Sequence, residues 1–568
     1  MVRGPSITVL LSALESARGD YGDEARSKKQ ELLKALAGSE THNIRLLMRL
    51  HAAALFLRAF PDDADVHASA GNLLRSIAAM VSSAGVRKQR SLDDSGIAGT
   101  SLSYEFSYDL ASWLAARYPS QVRIDWDAYD DPERLDTVLH PMLYHAEVHV
   151  WDEGEIGTQE WVELAIGDQE ISDLVWLSRQ IRRSGSKRRL LADLYDAAEV
   201  PLRWDLASAS ASKTLNEISW LAKPGVREGW RKAPRDFRRE ICRPVRGIKR
   251  VTSVKARDVI DAARAALAVR HREVYAMTYA NPEEVYLAPV GQGVHVAVLG
   301  VLPEWRFNVD GNYGYVIFSH GVPIGYGGAS PLFDQANTGV NILEEFRRGE
   351  SRFLFLQVLR VFRSLFGCER FIANPYQFGE GNDEAFATGA FWFYHKLGFR
   401  PTKPNVRHLA QKTARDLHRQ PTKRLERATM RKLISCDLEL VVRPGKAAPR
   451  FEEEWLSTVA KAATTQLASE GPTDRGNAAN ALTTRIAAWL GTGNWQRWPA
   501  GERQALARLA PVLALVADET NWPASAKKAC LELIRAKGGP QERVYIRKLA
   551  RHQRLHEALA SICRRTSF

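Results

Sequence analysis

Cysteine is scarce in this chain and widely scattered. Cys242, Cys368, Cys436, Cys530 and Cys563 are odd in number, and no two form a C-x-x-C pair. That spacing argues against a disulfide framework and a cysteine-based zinc site, and it fits a reducing, cytoplasmic compartment. Long apolar runs are also missing. The longest, Leu506 to Ala517, contains Arg508 and Pro511, too short and too polar to span a bilayer, so no membrane partner is expected. The opening stretch MVRGPSITVLLSALESARGD has a short apolar run that soon meets Glu15. It reads as an amphipathic helix, not a secretory signal. No RRM, KH or zinc-finger pattern is present.

What remains is ordinary soluble composition, 45% hydrophobic and 26% charged. At 568 residues the chain is too long for one core, and three or more domains are expected. The net charge of +13 favours anionic partners without choosing among them.

Residues 1–222 read as a mainly helical region. Leu46, Leu47, Leu50, Ala54 and Leu57 recur at helical spacing, and Pro61-Asp62-Asp63 breaks that helix and can cap the next. Residues 121–175 mix strand-like runs (QVRIDW, HAEVHVW) with many carboxylates, read as a solvated face. His145, Glu147 and His149 share one face on a strand, and the two histidines do so on a helix. No further ligand is marked, so a polar face is preferred to a metal site. Residues 223–257 hold thirteen Lys or Arg against three acids, interrupted by Trp230, Phe237 and three prolines. A basic interdomain linker is the preferred reading, with a single-strand nucleic-acid groove as the alternative.

From Asn281 the period changes to two. EEVYLAPV, GVHVAVLGV and GYVIFSHGVPIGYGGA are strands, with His320-Gly321 as a hairpin turn. Gly325, Gly327 and Gly328 mark a bulge or close backbone approach by a ligand. Val340 to Leu343 is a short strand that turns through Glu344, Glu345, Phe346, Arg347, Arg348, Gly349, Glu350 and Ser351 into a helix. Phe355, Val358, Leu359, Phe362 and Phe366 form that helix's buried face, with Arg352, Gln357, Arg360 and Arg363 opposite. A glycine turn into a helix N-terminus offers unpaired N–H groups for a pyrophosphate, reinforced by Arg347, Arg348 and Arg352. Arg370 to Ala373 is a strand, followed by Asn374-Pro375-Tyr376. Asn382 or Asp383 caps a helix running to Leu397, and Gly398 ends it.

The run AFWFYHKLGFRP resembles the end of the GNAT superfamily of acyl-CoA-dependent N-acyltransferases, whose typical run is A-x-x-F-Y-x-x-L-G-F. Ala390, Phe393, Tyr394, Leu397, Gly398 and Phe399 match it position by position. The resemblance covers about residues 259–401. It implies an acetyl-CoA or other acyl-CoA cosubstrate, an amine acceptor that the sequence does not name, and splayed strands cradling the pantetheine. It further implies Tyr394 as the acid that protonates the thiolate and Glu344 or Glu345 as the base. The cofactor loop would comprise Leu343, Arg347, Arg348, Gly349, Glu350, Ser351 and Arg352, with Asn374 nearby. The loop differs from the family's [QR]-x-x-G-x-[GA]: with Gly349 as first glycine, Phe346 and Ser351 stand at the other two positions.

The expected fold is therefore α+β and multi-domain. A mixed, mainly antiparallel GNAT-like sheet occupies 258–443, and largely helical regions flank it. Residues 450–568 form a helical domain suited to docking or to a protein partner. Two other readings stay open: a non-catalytic scaffold with a GNAT-like domain, and a nucleic-acid-associated protein using residues 223–257.

Overall fold

The computed structural model describes residues 6–566 except 42, 153, 155, 207–210, 348–349, 421–424, 453 and 520. The chain divides into two compact units. The first holds the residues up to Gly229 together with Asp258–Tyr279 and Ser319–Pro323. The second holds Trp230–Arg257, Ala280–Phe318 and the chain from Ile324 onward. The basic segment expected as a linker is split at Gly229, and its larger part is folded, contributing a helix (Phe237–Cys242) and a sheet strand.

The first unit begins with the helices Ile7–Ala17, Asp23–Ala37, Ile44–Ala59 and Ala64–Ser82. The break at Pro61-Asp62-Asp63 has two uses. Asp63 accepts the Val66 N–H at 2.9 Å and caps the fourth helix. Asp62 is buried and takes Lys29 Nζ at 2.8 Å. Burial lowers the Lys29 pKa and raises that of Asp62, because each charge has left water. A second core surrounds a small antiparallel sheet made of β1 (Ser101–Glu105), β2 (Val122–Ile124) and β3 (Pro201–Asp205), in the order β1-β3-β2. Trp204, Tyr195, Leu114, Leu177 and Val269 lie within it. HAEVHVW is not a strand: it is a 3-10 turn, His145–Glu147, followed by a helix, Val148–Asp152. The Glu147 carboxylate accepts the Tyr144 N–H at 2.7 Å and closes the turn. Among the described residues no three His, Cys, Asp or Glu side chains are grouped to hold a metal. None of the described helices is long and apolar enough to cross a membrane.

The second unit is built on a large mixed sheet. Its strands are β4 (Lys249–Val251), β5 (Ala280–Gly291), β6 (Val294–Val301), β7 (Tyr313–Ser319), β8 (Val322–Leu332), β9 (Gln335–Thr338), β10 (Asn341–Ile342), β11 (Arg370–Ala373), β12 (Arg400–Pro401) and β13 (Leu438–Val441). The order is β12-β13-β11-β9-β8-β7-β6-β5-β4, with β10 also on β8. Strands β9 and β11 run parallel; β8 and β9, and β11 and β13, run antiparallel. The hairpin turn between β7 and β8 is His320-Gly321, with φ of 48° and 83°. Gly321 is required there: a Cβ would stand 2.4 Å from the Ile218 carbonyl oxygen. Helix Ser351–Phe366 buries Leu354, Phe355, Val358, Leu359, Phe362 and Phe366, and Gly367 ends it at φ 84°. Gln357, expected on the polar face, is also buried. Helix Phe237–Cys242 covers it, and the Gln357 amide donates to Glu240 Oε1 at 3.1 Å. The helix expected from Asp383 to Leu397 is two helices, Asp383–Ala387 and Ala390–Lys396, because Gly389 turns left-handed between them at φ 65°.

A buried carboxylate anchors the C-terminal helices to this sheet. Glu284, on β5, accepts Tyr313 Oη at 2.9 Å and the backbone N–H groups of Glu542 and Arg543, each at 2.8 Å. It thereby caps helix Glu542–Leu549 from outside the helix. Arg306 Nη2 lies 3.5 Å from it and donates to the Pro540 carbonyl, while Lys537 Nζ pairs with Glu542 at 2.5 Å. Burial pushes Glu284 from 4.5 up to about 7, against the pull of Arg306. The folded state thus holds this proton more tightly than the unfolded chain does. The group's contribution to stability therefore falls as pH rises from about 4.5 to about 7, by on the order of 3 kcal/mol, and is constant above. Urea unfolding at pH 5 and pH 7.5 checks this. Glu284→Gln, which cannot titrate, is expected to be less stable at both values but to lose that part of the slope.

Candidate functional site

The distinctive geometry of the sheet lies where two parallel strands part. β9 pairs with β8 through Ala329↔Thr338, and β10 continues the same register through Tyr326↔Asn341 and Gly325↔Ile342. They are one strand interrupted at Gly339-Val340. Against β11 the pairing runs only through Arg370↔Gln335, Phe371↔Ala336 and Ile372↔Asn337. Beyond those residues the strand continues along β8, while β11 itself ends at Ala373. The backbone at Gly339-Val340 therefore has groups that β11 does not satisfy.

Two tyrosines meet that interruption. Tyr315 Oη, from β7, donates to the Gly339 carbonyl at 2.6 Å. The hydroxyl of Tyr394, from helix Ala390–Lys396, takes a backbone hydrogen bond from Val340. Gly327 permits the first contact, since a Cβ there would lie 2.6 Å from the Tyr315 hydroxyl and 2.4 Å from Gly339 O. The close approach expected at the strand glycines is thus made by the protein's own strand and tyrosine. Gln377 lies over Gly339, with its Oε1 only 1.8 Å from where a Cβ would be. Tyr394 is buried in an aromatic shell of Phe355, Phe378, Phe393 and Phe399, with ring centroids 5.4–6.1 Å away. Burial raises its pKa well above the ordinary tyrosine range, so the hydroxyl keeps its proton. It is in the form of an acid, not a base.

The other expected residues are distributed as follows. Leu343 is buried, while Glu344 and Glu345 lie on a 3-10 turn directly after β10, Glu344 exposed and Glu345 half-buried. Arg347 Nε donates to the Ile342 carbonyl at 2.8 Å, and its Nη1 pairs with Glu384 at 2.6 Å. Arg348 and Gly349 fall outside the described residues. Ser351 is half-buried and Arg352 exposed at the start of the long helix. Glu350 is fully buried and faces Arg231. Its carboxylate accepts the Arg231 backbone N–H at 2.7 Å, Nη2 at 2.9 Å and Nε at 3.2 Å. That carboxylate belongs to the fold. Asn374, two residues past the last β9–β11 pair, is half-buried, and its Oδ1 is buried without a hydrogen-bond partner among the described residues.

The sequence reading did not single out Tyr315, Gln377 or Arg231. Tyr315 sits in an apolar strand and reads as core. Arg231 is one of thirteen cations in its segment, and only its buried partner distinguishes it. Removing that partner leaves a largely buried guanidinium without its carboxylate, though Nη1 still donates to the Gly291 carbonyl at 3.0 Å. Glu350→Ala is expected to lower ligand-free stability by about 3–5 kcal/mol. Chemical denaturation without any ligand measures it, and a loss under about 1 kcal/mol would free Glu350 for a ligand role.

Compared with known proteins, the chain matches no family model, no curated protein and no solved structure.

Proposed function

We propose that the second unit carries an acyl-CoA-dependent N-acyltransferase site at the parting of β9–β10 from β11. The single observation that carries this reading is a pair of parallel strands whose pairing stops beside a buried tyrosine. The resemblance of AFWFYHKLGFRP to GNAT acyltransferases leads one to expect both features from the same residues. The orphaned Asn374 Oδ1 suits the amide N–H of a pantetheine arm, because a buried acceptor without a donor is a standing cost that a ligand relieves. The turn from Glu344 into the Ser351 helix would receive the pyrophosphate on backbone N–H groups, with Arg347, Arg348 and Arg352 adding charge.

In that reading the acceptor amine attacks the thioester carbonyl, and Glu344 or Glu345 takes the amine proton. The C–S bond then breaks, and the Tyr394 hydroxyl gives its proton to the leaving thiolate. Free thiols have pKa values near 8.5, so a tyrosine raised by burial is a reluctant donor. Entry of a polar ligand beside the hydroxyl would lower its pKa toward the useful range.

A ligand-binding role without turnover is the second reading. It is favoured by the commitment of Glu350 to Arg231 and by the burial of Tyr394. Calorimetric titration of the full chain with acetyl-CoA and longer acyl-CoAs separates the cases. Saturable binding by the wild type, abolished in Gly349→Trp, is expected. With an acceptor in hand, Tyr394→Phe is expected to bind normally and lose about 10²- to 10⁴-fold in kcat. Binding without turnover across an amine screen would favour the second reading, and no binding by the folded protein would overturn both.

A further inference from the structure

The positive charge of this protein is concentrated. Residues 223–257 carry thirteen Lys or Arg against three Asp or Glu, net +10. Residues 396–432 carry twelve against two, again +10. The whole chain is +13, so everything else is net −7. Both basic stretches contribute to the second unit.

The fold brings them together. Phe237 opens the helix Phe237–Cys242, and its ring lies 3.3 Å from where a Cβ on Gly398 would stand, beside β12. The neighbouring Arg238 therefore reaches the surroundings of Arg400. Arg400 donates to the carbonyls of His395 and Phe399 at 2.8 Å, and Arg407 donates to the Pro401 carbonyl at 2.8 Å. Arg238 and Arg407 both repel the Arg400 guanidinium, which, with burial, lowers its pKa. Helix Pro404–Arg419 then carries the charge outward. Its core face is Val406, Ala410 and Thr413. His408, Lys412, Arg415 and Arg419 recur at i, i+4, i+7 and i+11 and are all exposed.

These cations differ from the others of the same unit. Arg231, Arg363, Arg370, Arg443 and Arg450 each pair with a carboxylate. Among the described residues Arg235, Arg238, Arg239, Lys412, Arg415 and Arg419 make no ion pair within 4 Å. Asp416, the one acid on the Pro404–Arg419 helix, is likewise unpaired. A row of unneutralised cations repels itself and gains nothing within the fold.

We infer that this face binds the phosphate backbone of double-stranded nucleic acid. The stripe from His408 to Arg419 spans about 16 Å, the reach of about five successive phosphates on one strand. The helix has no free apolar face to lay into a bilayer, which argues against a lipid surface. Of the two aromatics in the basic segment, Phe237 is turned onto Gly398 and Trp230 is half-buried. Recognition therefore rests on charge and backbone shape rather than on unstacked bases.

The test is fluorescence anisotropy of the full-length protein with a labelled 30-base-pair duplex of arbitrary sequence, from 50 to 200 mM salt. Wild type is expected to bind with an affinity that falls at least 100-fold over that range. Combined Lys412→Gln, Arg415→Gln and Arg419→Gln is expected to reduce the logarithmic salt slope by about 3, since each phosphate contact contributes about 0.9. A control neutralising Arg87, Lys88 and Arg90, in the first unit, is expected to leave the slope unchanged. All six side chains leave the core packing intact, and far-UV circular dichroism verifies it. Absence of duplex binding at 50 mM salt would overturn the inference. So would an unchanged slope in the triple variant, tighter binding to the single strand, or capture by phosphatidylserine vesicles without duplex binding.

Discussion

The second unit depends on one carboxylate that has left water. Glu284 receives a tyrosine hydroxyl and two backbone N–H groups, and an arginine stands 3.5 Å away. The two N–H groups belong to the first turn of a helix, where the chain has no partner of its own to offer. A side chain from β5, beside the edge strand β4, therefore does what a local N-cap usually does, and it links segments more than 250 residues apart. Gly300, across from it on β6, has no Cβ because one would stand 2.6 Å from the Glu284 carboxylate. Arg306 completes the arrangement by donating to the Lys537 and Gly539 carbonyls, where the chain turns between helices, and Lys537 by donating to the Asp310 carbonyl in the loop before β7. Such a cluster is a poor source of net stability, since each ion is desolvated. Its effect is specificity: a one-residue slip of β5 would leave four buried polar groups without partners.

The end of the β9–β11 pairing lies four strands away from β5, on the far side of β6, β7 and β8. The β9–β10 side is held by side chains from other elements. Tyr315 fastens Gly339 to β7, and Tyr394 reaches Val340 from a helix. A binding or catalytic group works best when its neighbours are locked by packing, and an aromatic shell of four phenylalanines holds the Tyr394 ring.

Much of this was legible in the sequence, unevenly. Alternation marked β5 to β8, and His320-Gly321 marked the turn, because both signals are local. The insertion of the strand Leu438–Val441 between β11 and β12 could not be read, since pairing partners leave no local trace. Gly389 reads as part of a continuous helix, but it adopts the left-handed conformation that glycine permits, at φ 65°. Gln357 looked exposed because its neighbours Arg360 and Arg363 are polar, and the covering helix comes from more than 100 residues upstream. Glu350 looked available for a ligand for the same reason. Local patterns reveal which residues can do chemistry; only the fold reveals which are already occupied.

The remaining step concerns how a ligand could reach the fork. In this structure the opening over Gly339 is filled by Gln377, a flexible polar side chain on a short turn after β11. No hydrogen bond ties its amide to Gly339 in the way that Tyr315 is tied, so its displacement sacrifices little. Gly339 itself presents bare backbone, which is what a close-lying amide chain requires. Beside Val340 lies the Tyr394 hydroxyl, whose pKa burial holds well above the ordinary tyrosine range. Displacing Gln377 would uncover the Gly339 backbone, in the same region as the Tyr394 hydroxyl beside Val340.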